Sequence, residues 1–402
     1  MKPLVFFSAA NNEMTAYHQA LLVKLNELAG AVRGETGIAD LRLDFNFGLR
    51  LEVPEGDYFI RISDSESGRL YFAGQVSSQC LISMEKYYIP WQVEVIRSGE
   101  LVFAHQLDVT GQLVYLHLGD ALGDMLAVMP YVLAFQKRYR CRIVCQWQEN
   151  FSSLFAACFP HIPMVRAFPA ECYAAFVLGI FQDAPILSPV DARSVPLPQM
   201  GGILLNLPVN PPKLRLSAAK LLPDVPQTPY VCIAAQATGV KKCWHYPQGW
   251  DILTAKLQEC GYRVLCIDGN RELRQGEYAV RIPKGAEDFT GRRPLAERLA
   301  LLEGAACFIG VSSGLAWLAQ AAGTPVVLIS GFTLPGNEFF TPYRVINYQV
   351  CHGCHNDLRV DGRSLCPYHQ GTIRELECSR EITAAQVWRA VQRCLQETGQ
   401  ML

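Results

Sequence analysis

"CFIGVSSGLAWLAQAAGTPVVLIS", residues 307–330, changes periodicity twice. "CFIGV" is a short, wholly apolar run of the kind a strand covered on both faces shows. "SSGLAWLAQAAG" has helical spacing and closes on Gly323, and "TPVVLIS" is again a strand. Strand, helix and strand in so few residues imply a crossover connection and a parallel sheet. Ser312, Ser313 and Gly314 fall where the strand ends and the helix begins. Free backbone N–H groups and the positive helix end make that turn a place for an anion, and the two hydroxyls add donors. Serine is also a preferred N-cap, so the local pattern supports a ligand turn and an ordinary cap alike.

The alternation continues on both sides of this stretch. Upstream, "YVCIAAQATG" reads as a strand, "PQGWDILTAKLQECG" as a helix closed by Gly261, "YRVLCIDGN" as a strand and "PLAERLALLEGA" as a helix. An earlier set has "LVYLHL" as a strand, "GDALGD" as a loop, "MLAVMPYVLAFQKRY" as a helix with Pro130 in its early turns, and "RIVCQW" as a strand. Between the sets, "LLNLPVNPPKLRL" carries three prolines and reads as a linker. The expected fold is therefore α/β, with two Rossmann-like domains at residues 109–215 and 216–345 and ligands at the C-terminal ends of their strands.

Residues 1–108 read differently. A helix is expected from residue 12 to about 30, on Leu21, Leu22, Leu25 and Leu28. "YFIRISD" with "RLYFAGQ", and "WQVEVIR" with "LVFAHQL", then read as two hairpins, giving an N-terminal β-rich α+β domain. At the other end, residues 381–402 form a helix opened by a Thr383–Gln386 capping box, with Val387, Val391, Cys394 and Leu395 on its docking face.

Composition narrows the function. Half of the 402 residues are hydrophobic and the formal charge is −1, which gives no pull toward nucleic acid. No apolar run is long enough to span a membrane, and the start "MKPLVFFSAANNEM" lacks the apolar region and cleavage site of a signal peptide, so a cytoplasmic location is expected. Eleven of the 15 cysteines are scattered through apolar stretches and read as small buried hydrophobes. The exception is residues 346–380, where Cys351, Cys354, Cys366 and Cys378 supply four soft ligands, enough for a closed tetrahedral metal site. Unligated thiols or one histidine ligand are the alternatives, and the spacing does not choose the ion. His352, His355 and His369 read as solvated loop residues.

Two further strand ends carry candidate chemistry. In "QATGVKKCWHYPQGW", Thr238 and Gly239 allow close backbone approach and Lys241 and Lys242 offer cations, although adjacent lysines are more often a solvated surface. In "LHLGDALGDMLAVMP", Asp120 or Asp124 can face the cleft as a general base for an incoming hydroxyl; helix capping is the competing explanation.

Taken together, "GDMLAVMP" and "GVSSGLAWLAQAAGTPVV" resemble the ADP-heptose glycosyltransferases. "GDALGD", the K-x-W of "KKCWHYPQGW", the SSG turn and the four-cysteine segment look more like the bacterial autotransporter heptosyltransferases. The resemblance implies a GT-B arrangement, ADP-glycero-manno-heptose as donor, and serine hydroxyls of a self-associating autotransporter adhesin as acceptor, with inversion at the sugar. It implies Asp124 as base, with Asp120 still open, and Lys242 on the donor diphosphate. Ser312, Ser313 and Gly314 would form the donor-phosphate turn, Thr238 a further donor contact, and Asp268 of "CIDGN" an adenosine ribose partner. It also implies iron rather than zinc in a Cys351/Cys354/Cys366/Cys378 finger, and a homo-oligomer. The lipopolysaccharide relatives usually carry Asp-Thr-Gly at the turn, so an acceptor in the lipopolysaccharide core is the nearer alternative. A non-catalytic nucleotide-sugar adaptor is the more distant one.

Overall fold

The computed structural model describes residues 2–9, 14–180, 186–210, 213–218, 226–360 and 364–401. The expected linker thus lies partly outside the described residues, as do residues 12 and 13 of the first expected helix. That helix spans Ala16–Ala29, with Thr15 and His18 forming a reciprocal cap.

The second alternating half forms a six-stranded, all-parallel sheet. Its strands, in spatial order, are Glu287–Asp288, Arg263–Cys266, Tyr230–Ala234, Phe308–Val311, Val326–Ile329 and Tyr343–Val345. Numbered along the chain this is the order 3-2-1-4-5-6, the doubly wound arrangement whose ligand crevice opens where the order reverses. Here that point lies between Tyr230–Ala234 and Phe308–Val311, whose residues Ala234 and Gly310 pair directly. The helix after Phe308–Val311 runs Gly314–Ala322 and stops at Gly323, which adopts φ +88 as the C-terminal turn requires.

The first half departs from expectation. Its strands Leu113–Leu118 and Arg142–Gln146 are where the alternation placed them, but they belong to a seven-stranded sheet. Four strands from residues 1–108 extend that sheet: Leu4–Phe7, Arg42–Asn46, Arg50–Glu52 and Cys80–Ser83. The junction is the parallel pairing of Arg42–Asn46 with Ala174–Leu178. Only the two expected hairpins form a unit apart, as a four-stranded antiparallel sheet in which Tyr58–Asp64 and Trp91–Arg97 are the central pair. Their alternation of buried and open positions is the period-2 signal read in the sequence.

The expected "GDALGD" loop is also shorter than the sequence suggested. The helix spans Leu122–Tyr139, so Gly123 and Asp124 lie in its first turn and Pro130 lies in its interior. Close packing favours this early start. A Cβ on Gly123 would meet Trp317 at 2.9 Å, and one on Gly314 would meet Cβ of Leu122 at 2.9 Å. The two helices thus cross at their first turns with almost no space between them. Their buried faces share one apolar core, in which Met125, Leu126 and Met129 join Ala316, Leu318 and Ala319. The C-terminal helix Ala384–Glu397 carries the expected Thr383–Gln386 cap and buries Val387, Val391, Cys394 and Leu395 in the core of the second half. Among the described residues, no helix is long and apolar enough to cross a membrane.

Candidate functional site

Two helix N-termini point into the crevice between the halves. One belongs to Leu122–Tyr139 and carries Asp124; the other belongs to Gly314–Ala322 and follows Ser312 and Ser313. Between them lies a cavity of about 210 Å³. Asp124, Thr238, Lys242, Ser312, Ser313 and Gly314 all line it. The fold therefore gathers three strand-end loops, far apart in the chain, onto one space.

Of the two candidate bases, only Asp124 lines this cavity; Asp120 is exposed and outside it. Neither caps the helix, whose N-cap is Ala121 without a side-chain cap bond. Burial pushes the Asp124 carboxyl up to about 6, against the downward pull of the Lys242 charge. A carboxylate held there is mostly ionised at neutral pH and more basic than an exposed aspartate, as a general base requires.

The two serines do different things. The Ser313 hydroxyl is buried and makes no hydrogen bond among the described residues, and as N-cap it makes no side-chain cap bond. An unspent buried donor at a helix N-terminus fits an anionic ligand better than an ordinary cap. Ser312 instead donates to the buried Glu338, whose other oxygen accepts from Arg344 at 2.8 Å and from the Thr333 hydroxyl at 3.3 Å. Ser312 is thereby held in place by a fourth loop, the one that follows Val326–Ile329.

The adjacent lysines also separate. Both ammonium groups lie over the Phe332 ring, Lys241 at 5.2 Å and Lys242 at 5.6 Å from its centroid. Lys242 lines the cavity, while Lys241 donates to the Ser364 carbonyl at 3.2 Å and so anchors the cysteine-rich segment.

A second cavity, of about 760 Å³, opens on the other side of the serine turn and shares Thr238, Ser313 and Gly314 with the first. Asp268 borders it but is only 1% exposed. Its carboxylate accepts from the backbone N–H groups of Ala235 at 3.0 Å and Gln236 at 3.1 Å. Asp268 thus fixes the loop leading to Thr238. Burial raises its carboxyl to about 6, and these N–H bonds oppose the rise.

The cysteine-rich segment is not peripheral to the cleft. Gly353 donates to the Gly331 carbonyl at 2.8 Å and His355 N–H to the Phe332 carbonyl at 3.1 Å, both in the second half. Asn356 donates to the Arg193 carbonyl and to Asn337, both at 2.8 Å, and Arg193 donates to the Val360 carbonyl at 3.0 Å. The segment therefore straps the halves together across the cleft. The expectation that His355 is a solvated loop residue is corrected: it lines the small cavity. Its pKa is pushed down to about 4, by burial first and then by the charges of Lys242, Arg193 and Lys241. His369 is also engaged, 3.8 Å from Glu377.

The donor chemistry of this segment fits a soft metal ion. Burial raises the Cys354 thiol to about 11 and Cys378 to about 12, and in both cases charge on the other cysteines opposes ionisation further. Cys351 is raised by burial and then by Cys366. All four thiols are thus near enough to feel one another, an arrangement that a bound cation reverses from repulsive to favourable. Among the described residues, the group whose ligand atoms come within 4.8 Å of one another is mixed, Cys351 with His369 and Glu377, and not the expected set of four thiols. Glu377 also accepts the Cys351 backbone N–H at 3.1 Å.

Sequence reasoning missed Glu338 and His355. Glu338 had a usable signal, because "GFTLPGNEFF" directly follows the strand Val326–Ile329 on the ligand edge of the sheet. His355 had none, because only long-range hydrogen bonds bring it to the cleft.

Comparison with known proteins gives the family. Residues 201–364 match the family described as glycosyltransferase family 9 (heptosyltransferase), and residues 34–99 match the N-terminal domain of glycosyltransferase TibC. The autotransporter heptosyltransferase BAHTCr of Citrobacter rodentium is 39% identical over 370 residues, covering 89% of this chain and 90% of the relative. TibC of Escherichia coli O78:H11 is 38% identical over 365 residues, covering 88% and 89%. The crystal structure of TibC, described as an iron-containing dodecameric glycosyltransferase, superposes with a TM-score of 0.86 and 36% identity, over 92% of this chain and 99% of that one. A second TibC structure contains ADP-D-beta-D-heptose and also gives 0.86, at 36% identity over 91% and 98% of the two chains. BimC of Burkholderia thailandensis, described as an inactive autotransporter heptosyltransferase, is 34% identical over 369 residues, covering 89% and 86%.

Proposed function

We propose, because the chain belongs to the autotransporter heptosyltransferases, that its cleft transfers heptose from ADP-glycero-manno-heptose to serine hydroxyls of an autotransporter adhesin. The observation that carries this reading is the gathering of Asp124, Lys242 and the Ser312–Gly314 turn around one cavity at the switch point of the second sheet. Family membership alone does not decide for transfer, since one relative is described as inactive. A desolvated carboxylate beside a fixed cation is what favours a working enzyme over a binding adaptor.

In this reading the nucleoside occupies the larger cavity and the diphosphate lies over Thr238, Ser313 and Gly314, which border both spaces. Asp124 takes the proton from the serine hydroxyl as its oxygen bonds to the sugar C1 from the face opposite the phosphate. The C1–O bond to phosphate breaks, and inversion at C1 follows from the in-line geometry. Negative charge builds on the departing ADP, where Lys242, the Ser313 hydroxyl and the N-terminus of Gly314–Ala322 receive it. Asp268 supports the loop under Thr238 through two backbone N–H groups and borders the larger cavity, where its remaining lone pairs can accept from a ribose hydroxyl.

Cys351, Cys354, Cys366 and Cys378 would hold one iron ion, with His369 and Glu377 beside Cys351. Bound there, the ion supplies a structural cross-link and no step of the transfer. The chain works in the cytoplasm and assembles as a homo-oligomer; the dodecameric state of TibC supports the latter. The test is ADP release by the purified chain given ADP-heptose, with and without an adhesin passenger fragment. Release that depends on the fragment supports protein transfer. Release with lipopolysaccharide core acceptor alone moves the acceptor assignment, and no release with either supports the adaptor.

A further inference from the structure

We infer that Trp317 is a specificity-determining residue, which donates its indole N–H to one hydroxyl of the donor sugar. This rests on the reading of the crevice as a nucleotide-sugar site. In that reading the diphosphate lies over Ser313, and Asp124 faces the sugar C1 through the group that attacks it. The sugar then bridges the space between the serine turn and Asp124, and Trp317 lines that same cavity of about 210 Å³.

Helix geometry brings the ring to that space. Trp317 stands one turn after Ser313, and its backbone N–H donates to the Ser313 carbonyl at 3.4 Å. Residues i and i+4 share a helix face, and helical side chains lean toward the N-terminus. The indole therefore lies back toward the serine turn. Gly123 shows which edge faces the opposite helix: a Cβ there would meet Cδ1 of Trp317 at 2.9 Å and Nε1 at 3.3 Å. The edge that carries the N–H is thus turned to the residue next to Asp124, between the phosphate turn and the base.

The ring is fixed, but its N–H is not spent. Trp317 is only 7% exposed and packs edge-to-face on Phe339, with ring centroids 5.0 Å apart at 80°. An indole nitrogen is a donor only, and a buried one ordinarily finds an acceptor. Among the described residues Nε1 of Trp317 makes no hydrogen bond. The unpaired nitrogens of Trp91, Trp147 and Trp250 are fully enclosed, whereas that of Trp317 keeps access to the cavity. A donor held in place before binding gains from a hydroxyl at that point and is left unpaired by a sugar that lacks one, which is how a site tells close analogues apart.

The experiment titrates ADP and ADP-heptose, by calorimetry, into the whole iron-loaded chain and its Trp317→Phe variant, which keeps an aromatic ring against Phe339 and removes the N–H. The expected result is an ADP affinity within experimental error of wild type and an ADP-heptose affinity weakened about two- to tenfold, the worth of one neutral hydrogen bond. Donors lacking one sugar hydroxyl at a time then locate the contact: for one of them wild type and variant should bind alike. Benzothienylalanine at position 317, which has the shape of tryptophan without the N–H, takes the place of phenylalanine if Trp317→Phe does not fold. An unchanged ADP-heptose to ADP affinity ratio in the folded variant overturns the inference. So does an equal loss of both ligands, which would leave Trp317 a packing residue, or a loss that persists with every deoxygenated donor. Failure of the wild-type chain to bind ADP at all would instead remove the nucleotide-sugar reading beneath it.

Discussion

Replacing Asp124 by Asn should move activity and stability in opposite directions. Asn is close to isosteric with Asp but accepts no proton, so turnover should fall by about 10²–10⁴-fold, the usual worth of a general base. Stability follows from the ionisation of the carboxyl. Its ordinary value is 3.8, and the fold raises it to about 6, so the folded state holds the proton more tightly than the unfolded chain does. Below pH 3.8 both states are protonated and the group costs nothing. As pH rises toward 6 the unfolded chain ionises first, and the wild type loses stability progressively. Above that the penalty is constant, at most about 3 kcal/mol given 1.36 kcal/mol per pKa unit. Asp124→Asn removes the penalty, so its melting temperature should exceed that of wild type at pH 7.5 and converge with it near pH 4. Wild-type turnover should fall about tenfold per pH unit below 6. The assays are thermal melts at the two pH values and ADP release at saturating donor. A variant that melts with wild type at pH 7.5 would show that Asp124 is not desolvated. One that keeps more than roughly a tenth of wild-type turnover would show that it is not the base.

Other perturbations test the neighbouring parts. Lys242→Ala should weaken ADP binding by about 1.5–3 kcal/mol, the range for a charge-assisted bond, whereas Lys241→Ala should leave ADP binding nearly intact and lower the melting temperature by freeing Ser364; equal ADP losses in a titration would contradict the separation. Gly314→Ala places a Cβ 2.9 Å from Leu122 Cβ and 3.4 Å from the Gly123 nitrogen, so overpacking should cost about 1–3 kcal/mol in a denaturation curve and weaken ADP binding with it. Cys354→Ser should drop iron from about one ion per chain toward none by elemental analysis, with melting temperature and assembly falling alongside. If that variant keeps its metal and its melt yet loses turnover, the segment has a chemical role after all.

What was legible in the sequence was what local pattern encodes. The alternation in Tyr58–Asp64 and the Thr383–Gln386 cap each reappear in the structure because neighbours in the chain decide them. The extended first sheet was not legible, because Leu4 pairs with Cys80 and Phe45 with Ala174, and no local signal announces a partner so distant. Ala174–Leu178 escaped for a related reason: "AAFVL" is short and buried on both faces, and periodicity cannot tell such a run from buried helix. At the site, Asp124, Thr238, Lys242 and the serine turn were readable because each follows a strand in an alternating pattern. Glu338 also follows a strand and could have been read the same way, whereas His355 reaches the cavity through a strap of long-range hydrogen bonds, which only the folded chain displays.

Heptose leaves ADP in this cleft for a protein hydroxyl, in the reading proposed above. Its most direct test is intact-mass spectrometry of an autotransporter passenger domain, co-expressed with the wild-type chain or with Asp124→Asn in cells that make ADP-heptose. Passenger carrying whole heptosyl increments on serine is expected with wild type, and essentially unmodified passenger with the variant. Passenger left unmodified by the folded wild-type chain, or modified equally by both, would contradict it.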